Sequence, residues 1–144
     1  MCHRCSLPFG RLWTHSKLNR ATHAHIENFF NGVHMNFQTQ LVRMGEAGRV
    51  LDNEFKDVVL NHANLGRLEG MPILFISGGA NVVFDPESTS MCYDMLRERF
   101  PGQEGLYRRR IVPDYGHLDC WMGKEASKDV YPLVGEHLEW CTLR

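Results

Sequence analysis

One histidine and one asparagine lie just after two strand-like segments of this sequence. Asn81 follows the apolar run Ile73–Ile76, and His117 follows a second run that ends at Val112. The carboxyl ends of parallel strands share one rim of a sheet, so we expect these two loops to be neighbours. A neutral imidazole can act as a general base when a polar group holds its other ring nitrogen. The spacing therefore favours acid–base chemistry at His117, whereas a single histidine without this context is more typical of a solvated loop.

Two carboxylates near these positions are alternative partners for the imidazole. Asp85 precedes Pro86, and this pair is typical of a helix N-cap with proline at the first helical position. Capping is the role that the sequence favours for Asp85, and contact with the imidazole is the alternative. Asp119 is too close to His117 in sequence to be a first choice.

The second half of the sequence alternates strand and helix patterns. Its short apolar runs are typical of strands buried on both faces of a parallel sheet, and its helices follow cap and periodicity patterns. The run Arg108–Arg110 indicates the polar face of an outer strand, and this reading is favoured over a phosphate site. We predict an α/β fold with these elements: a strand at Ile73–Ile76, a helix from Asp85 through Phe100, a strand at about Tyr107–Val112, and a last helix through Val134, Leu138 and Cys141.

The first half of the sequence has helical periodicity. One amphipathic helix is predicted from Ile26, Phe29, Phe30 and Val33, and a second from Phe37, Leu41 and Met44, ending at Gly45 or Gly48. Such a helix pair suits a cap or lid. We therefore predict a single incomplete domain, with a helical cap segment at 1–70 and the strands and helices of its core at 71–144.

Longer stretches of the sequence resemble a known fold family. The segment Pro72–Glu87, joined to Val112–Trp121, resembles the last two strands of the α/β-hydrolase fold, and Tyr115–Asp119 resembles the histidine loop of acid-lipase-like hydrolases. More closely, the chain resembles the hydrolase-like region found in or beside cholesterol-oxidase-type flavoproteins of the glucose-methanol-choline class. This second resemblance spans nearly the full length and depends on the stretches Cys2–Arg4, Leu18–His23, Pro86–Thr89, Tyr115–Cys120 and Asp129–Pro132.

The resemblance implies a serine hydrolase of the esterase or lipase type, acting on esters or similar acyl substrates. Its catalytic groups occur in the chain order nucleophile, acid, histidine. His117 takes the histidine position, and the acid position falls on Asn81, with Asp85 as the nearest carboxylate. An amide orients an imidazole but carries no charge to stabilise the imidazolium, and replacing the acid by asparagine costs about 10,000-fold in kcat in the Ser-His-Asp proteases.

The nucleophile of such a hydrolase is missing from the sequence. A nucleophile elbow needs the pattern Gly-x-Ser-x-Gly, and no serine here is flanked by paired glycines. We therefore expect the elbow and the oxyanion hole to belong to a missing N-terminal portion, and the chain alone to be inactive. The alternative is a noncatalytic hydrolase-like binding or interaction module, part of or partner to a cholesterol-oxidase-type flavoprotein.

Composition excludes some other classes of function. A formal net charge of −1 gives no field that would attract nucleic acid. The most apolar stretch, Met71–Phe84, is too short for a membrane span and is interrupted by glycines. The first residues lack the pattern of a secretory signal, so we expect a cytoplasmic protein.

The cysteines and most of the histidines predict no cofactor site. Cys2 and Cys5 form a lone Cys-x-x-Cys without the second pair that a structural zinc site needs. Free thiols that pack as small apolar groups are expected at Cys92, Cys120 and Cys141. The histidines of the first half are expected at the polar surface: His15, His23, His25 and His34. No cofactor and no metal are predicted.

Overall fold

The computed structural model describes residues 9–30 and 34–144, and these form helices together with a small two-stranded parallel sheet. They divide into two compact units, one made of 9–30 with 71–144 and the other of 34–70. The helices, in chain order, are α1 (Arg20–Ala24), α2 (Met35–Ala47), α3 (His62–Gly66), α4 (Pro86–Arg99), α5 (Asp119–Met122), α6 (Ala126–Asp129) and α7 (Tyr131–Thr142). Short 3-10 turns lie at His15–Lys17, Ile26–Phe29 and Glu104–Leu106.

The sheet consists of β1 (Ile73–Gly78) and β2 (Tyr107–Val112), paired in parallel over their full lengths. The register joins Ile73 to Tyr107 and Gly78 to Val112. Parallel strands need a long crossover connection, which helix α4 supplies here. Both predicted strands and their connecting helix are confirmed, and β1 continues beyond the predicted Ile76 as far as Gly78.

Helix α4 is defined at both ends by local sequence. The Asp85 carboxylate accepts a hydrogen bond from the backbone N–H of Glu87 at 2.9 Å, and Pro86 occupies the first turn. Arg97 and Arg99 lie in the last turn, where positive charge is favourable, and the helix ends before Phe100. The predicted capping role of Asp85 is confirmed.

Two hydrophobic clusters form the interior of the first unit, and the histidine loop, residues 113–118, contacts both. Leu118 packs against the first cluster, and Tyr115 belongs to the second, in which Cys120 is also buried. The loop is therefore held from two sides. The first cluster consists of Leu12, Trp13, Leu18 and Ile26, and the second of Val112, Tyr115, Cys120, Ala126 and Val130.

Residues 9–30 pack with the strand-bearing segment, which differs from the predicted division at residue 70. The carbonyl of Leu12 accepts a hydrogen bond from Leu118 N at 2.8 Å, and that of Lys17 accepts one from Lys124 N at 2.7 Å. The segment also buries Trp13 almost completely, with 2% of its surface exposed. Helical periodicity reports which residues share a face but not which distant segment covers that face, so the sequence did not indicate this packing.

The unit 34–70 contains helices α2 and α3. Helix α2 agrees with the second predicted helix and is followed by the C-cap Gly48, whose left-handed φ of 63° suits glycine. Helix α3 is capped by Asn61, whose side chain accepts from Asn64 N at 2.9 Å. The first predicted helix is present only as the 3-10 turn Ile26–Phe29, and its end at Val33 lies outside the described residues. In the described ranges, no helix combines the length and apolar character needed to cross a membrane.

Candidate functional site

The loops that follow β1 and β2 are joined by backbone hydrogen bonds. Gly79 N donates to the carbonyl of Val112 and Ala80 N donates to that of Tyr115, both at 2.8 Å. A Cβ on Gly78 would lie 2.2 Å from the Tyr115 carbonyl oxygen and 2.3 Å from that of Gly116. Glycine at position 78 therefore lets the histidine loop cross directly over the end of β1.

The side chain of Asn81 closes the loop after β1. Its Oδ1 accepts hydrogen bonds from Val83 N at 3.0 Å and Phe84 N at 3.1 Å, while its backbone N–H donates to the Gly78 carbonyl at 3.1 Å. Only 8% of the residue is exposed. Asparagine is favoured in such turns because its side-chain oxygen bonds to the backbone a few residues on.

The same amide contacts His117. The distance from Asn81 Nδ2 to His117 Nδ1 is 3.4 Å, and the Phe84 ring covers the imidazole with a centroid separation of 5.0 Å. The structure thus places the two residues that the sequence singled out side by side, on loops after adjacent parallel strands. Among the described residues, the imidazole Nε2 has no hydrogen-bond partner.

Burial lowers the pKa of His117 below its ordinary value of 6.5, and the negative charge of Asp119 opposes this shift. The imidazole is half-buried, and a low-dielectric environment disfavours its charged form. At neutral pH the ring is therefore uncharged. A neutral ring has one donor nitrogen and one acceptor nitrogen, so its chemistry depends on which one carries the proton.

The two carboxylates that the sequence places near Asn81 and His117 have structural roles. Asp85 caps helix α4, and Asp119 accepts hydrogen bonds that hold the histidine loop. Asp119 is fully buried, and its Oδ2 accepts from Gly116 N at 2.8 Å and from Thr14 N at 3.3 Å. Its Oδ1 has no hydrogen-bond partner among the described residues. The sequence did not reveal this anchoring role, because Thr14 is distant in the chain and no local pattern marks the pair.

Tyr115 of the histidine loop and Cys120 of helix α5 have structural roles. Tyr115 donates its hydroxyl to Asp129 at 2.6 Å, and burial together with this contact raises the pKa of the tyrosine. Burial, with the nearby charge of Asp119, raises the pKa of the Cys120 thiol to about 11, so it is unreactive at neutral pH. Cys120 is free and buried, as predicted, and Cys92 and Cys141 are also free thiols.

The arginine run of β2 is used for packing. Arg109 donates to the Thr89 hydroxyl at 3.0 Å and to the Pro86 carbonyl at 2.9 Å, which ties the strand to the start of α4. The Arg108 guanidinium lies 3.9 Å from the centre of the Trp140 ring. Of the three arginines only Arg110 is exposed, and the other two are half-buried.

Within residues 9–30 and 34–144, no group of three or more His, Cys, Asp or Glu side chains is arranged to hold a metal ion. His15 Nδ1 and His23 Nε2 lie 3.1 Å apart at the surface. Cys2 and Cys5 lie outside the described residues, so the structure does not bear on the lone Cys-x-x-Cys.

Comparisons of the chain with protein-family models, with curated proteins and with solved structures found no match. The chemically usable group of the site is the neutral imidazole of His117, held by Asn81 and covered by Phe84. Ser77, inside β1, is buried with its hydroxyl 3.5 Å from that of Thr89, so it is not exposed as a nucleophile would be.

Proposed function

We propose that this chain is the C-terminal part of an α/β-hydrolase that acts on esters or similar acyl substrates. In this proposal His117 is the catalytic imidazole and Asn81 is its orienting partner. The observation that carries the proposal is the 3.4 Å contact between these two side chains, on loops that follow adjacent parallel strands. Functional groups of open parallel sheets collect at this rim.

The surroundings of the imidazole support this role. The ring is half-buried under Phe84, and its burial keeps it neutral near pH 7, as an acid–base catalyst requires. Gly78 gives the histidine loop its close approach to β1. These features align one ring nitrogen on Asn81 and leave the other for a reacting group.

The nucleophile in this proposal comes from outside the 144 residues. No Gly-x-Ser-x-Gly occurs in the sequence, and covalent acyl transfer needs an activated serine next to the imidazole. The chain alone therefore has no route to an acyl-enzyme. The missing N-terminal hydrolase portion would supply both the elbow and the oxyanion hole.

The test begins with the coding sequence upstream of Met1, which should continue in frame to a Gly-x-Ser-x-Gly. The longer product should hydrolyse nitrophenyl esters and bind a fluorophosphonate probe, while the chain alone should do neither. His117→Ala should abolish hydrolysis by the longer product, and His25→Ala, at an exposed histidine, is the matched control. An upstream frame without the motif, or a longer His117→Ala product with full activity, would contradict the proposal.

One observation favours a second candidate function. The group that faces His117 is an uncharged amide, which cannot stabilise an imidazolium as a carboxylate does. In this second proposal the chain is a noncatalytic hydrolase-like binding or interaction module, part of or partner to a cholesterol-oxidase-type flavoprotein. If the chain is such a module, it should be stable and monodisperse and show one cooperative thermal transition. A hydrolase fragment with unpaired strand edges should instead self-associate.

A further inference from the structure

The orientation of the Asn81 amide is fixed by its own loop. Its Oδ1 accepts two backbone hydrogen bonds, from Val83 N at 3.0 Å and from Phe84 N at 3.1 Å. A flipped amide would turn its NH2 group toward these two donors and leave both unsatisfied. The atom 3.4 Å from His117 Nδ1 is therefore the amide nitrogen Nδ2.

This orientation decides where the proton of the neutral imidazole lies. An amide nitrogen donates hydrogen bonds and accepts none, so Nδ1 of His117 must present its lone pair to Asn81. A proton on Nδ1 would instead bring two donors together. We infer that Asn81 is a positioning residue that holds neutral His117 in the tautomer protonated at Nε2.

The inference rests on the Asn81–His117 pair of the proposed function and deepens it. In the Ser-His-Asp arrangement, the carboxylate accepts from Nδ1–H, and Nε2 is then free to take a proton from the nucleophile. Here Nε2 carries the proton in the resting state, so it can donate to an oxygen acceptor such as a carbonyl or carboxylate. It takes no proton from a hydroxyl unless the ring proton first moves to Nδ1.

Asn81→Asp is the variant that reverses the arrangement. A carboxylate has the same shape as the amide, so one of its oxygens keeps both bonds to Val83 and Phe84, and the fold is retained. The other oxygen then faces Nδ1 and accepts a hydrogen bond from it. The proton of neutral His117 therefore moves to Nδ1, and Nε2 becomes the acceptor.

The experiment is a two-bond ¹H–¹⁵N correlation spectrum of the full chain, labelled with ¹⁵N in histidine and recorded near pH 8, where a histidine of ordinary or lowered pKa is neutral. His117→Gln identifies the signals of His117 among the eight histidines. The wild-type ring should show the Nε2–H pattern, and Asn81→Asp the Nδ1–H pattern, with the other histidines unchanged. Asn81→Ala, which removes the amide, should give a mixture of both tautomers.

An Nδ1–H pattern in the wild-type chain would overturn the inference, as would an Nε2–H pattern that persists in Asn81→Asp. Because free imidazole populates both tautomers, the reversal in Asn81→Asp is the decisive result. The readout is a proton position and needs no nucleophile. If no hydrolytic activity is found in any longer product, the proposed function fails while the tautomer assignment stands or falls on the spectra alone.

Discussion

The loop after β1, residues 79–85, and the histidine loop that follows β2 end adjacent parallel strands but are held in different ways. The first is closed by the Asn81 side chain within its own few residues and leaves Val82 and Phe84 largely exposed. The second is fixed by buried Asp119, which also accepts from Thr14 N, and by the backbone bond from Leu118 N to the carbonyl of Leu12, more than a hundred residues away. Local hydrogen bonds thus orient the Asn81 amide, while long-range hydrogen bonds fix the position of the His117 imidazole.

Removing the Asp119 carboxylate, which fixes the histidine loop, should lower the free energy of unfolding more than any change in the loop after β1. Asp119→Ala leaves the N–H groups of Gly116 and Thr14 without their acceptor in a buried site, at a cost of about 2–5 kcal/mol in the free energy of unfolding. Urea denaturation measures the loss. Asp85→Ala, which removes an exposed helix cap, is the control and should cost about 1 kcal/mol. Equal losses in the two variants would show that Asp119 is no special anchor.

Gly78→Ala should be the next most damaging change. Its Cβ would overlap the carbonyl oxygens of Tyr115 and Gly116, so the two loops must separate, at a cost of about 1–3 kcal/mol or more. Gly105→Ala is the matched control, since no atom lies near a Cβ at that position. Thermal denaturation compares the two. Equal melting temperatures would mean that the histidine loop does not cross β1 as closely as described.

Asn81→Ala should lower the free energy of unfolding by less than Asp119→Ala or Gly78→Ala. It removes the acceptor for two backbone donors in a half-exposed loop, which water can partly satisfy, so the loss is about 1–2 kcal/mol. Asn81→Asp should retain most of this stability and raise the pKa of His117, because a carboxylate favours the imidazolium. Titration of the His117 signals measures the shift. An unchanged pKa in Asn81→Asp would show that the side chain at position 81 does not face the ring.

Acidification should lower the free energy of unfolding by less than any of these substitutions. Burial lowers the pKa of His117, and burial together with the Arg108 charge lowers that of His137, so the unfolded chain binds more protons than the folded chain below pH 6.5. The free energy of unfolding therefore keeps its full value, as far as these two histidines are concerned, above pH 6.5. It falls as the pH drops through their folded-state pKa values. Urea denaturation from about pH 7.5 to about pH 5.5 should show this decline. If His117→Gln declines as much as the wild-type chain, His117 contributes nothing to it.

The parts of this fold that the sequence predicted correctly depend on local patterns. Both strands, helix α2, helix α4 and the cap at Asp85 follow from apolar runs, glycine and proline positions, and short-range side-chain bonds. The proximity of Asn81 and His117 was expected from parallel pairing alone. The direction of the amide could not be predicted, since it depends on which backbone N–H groups the folded loop turns toward Oδ1.

The anchoring of the histidine loop could not be predicted for a different reason. The closeness of Asp119 to His117 in sequence argues against it as a partner of the imidazole, and the residue that it does contact, Thr14, lies in the predicted cap segment. Nothing in local periodicity pairs positions so far apart. No local pattern marks Trp13 either, although it is among the most buried large side chains that the structure describes.

The first unit is discontinuous in sequence, because its described residues run from 9 to 30 and again from 71 to 144, and the unit 34–70 lies between them in the chain. For a flexible connection, loop-closure entropy grows only with the logarithm of length, and doubling that length costs about 0.6 kcal/mol. The bonds from Leu12 and Lys17 to the other half of the unit do not depend on that length. A change in the length of a flexible connection therefore alters the closure entropy of the first unit and leaves in place the bonds that hold the histidine loop.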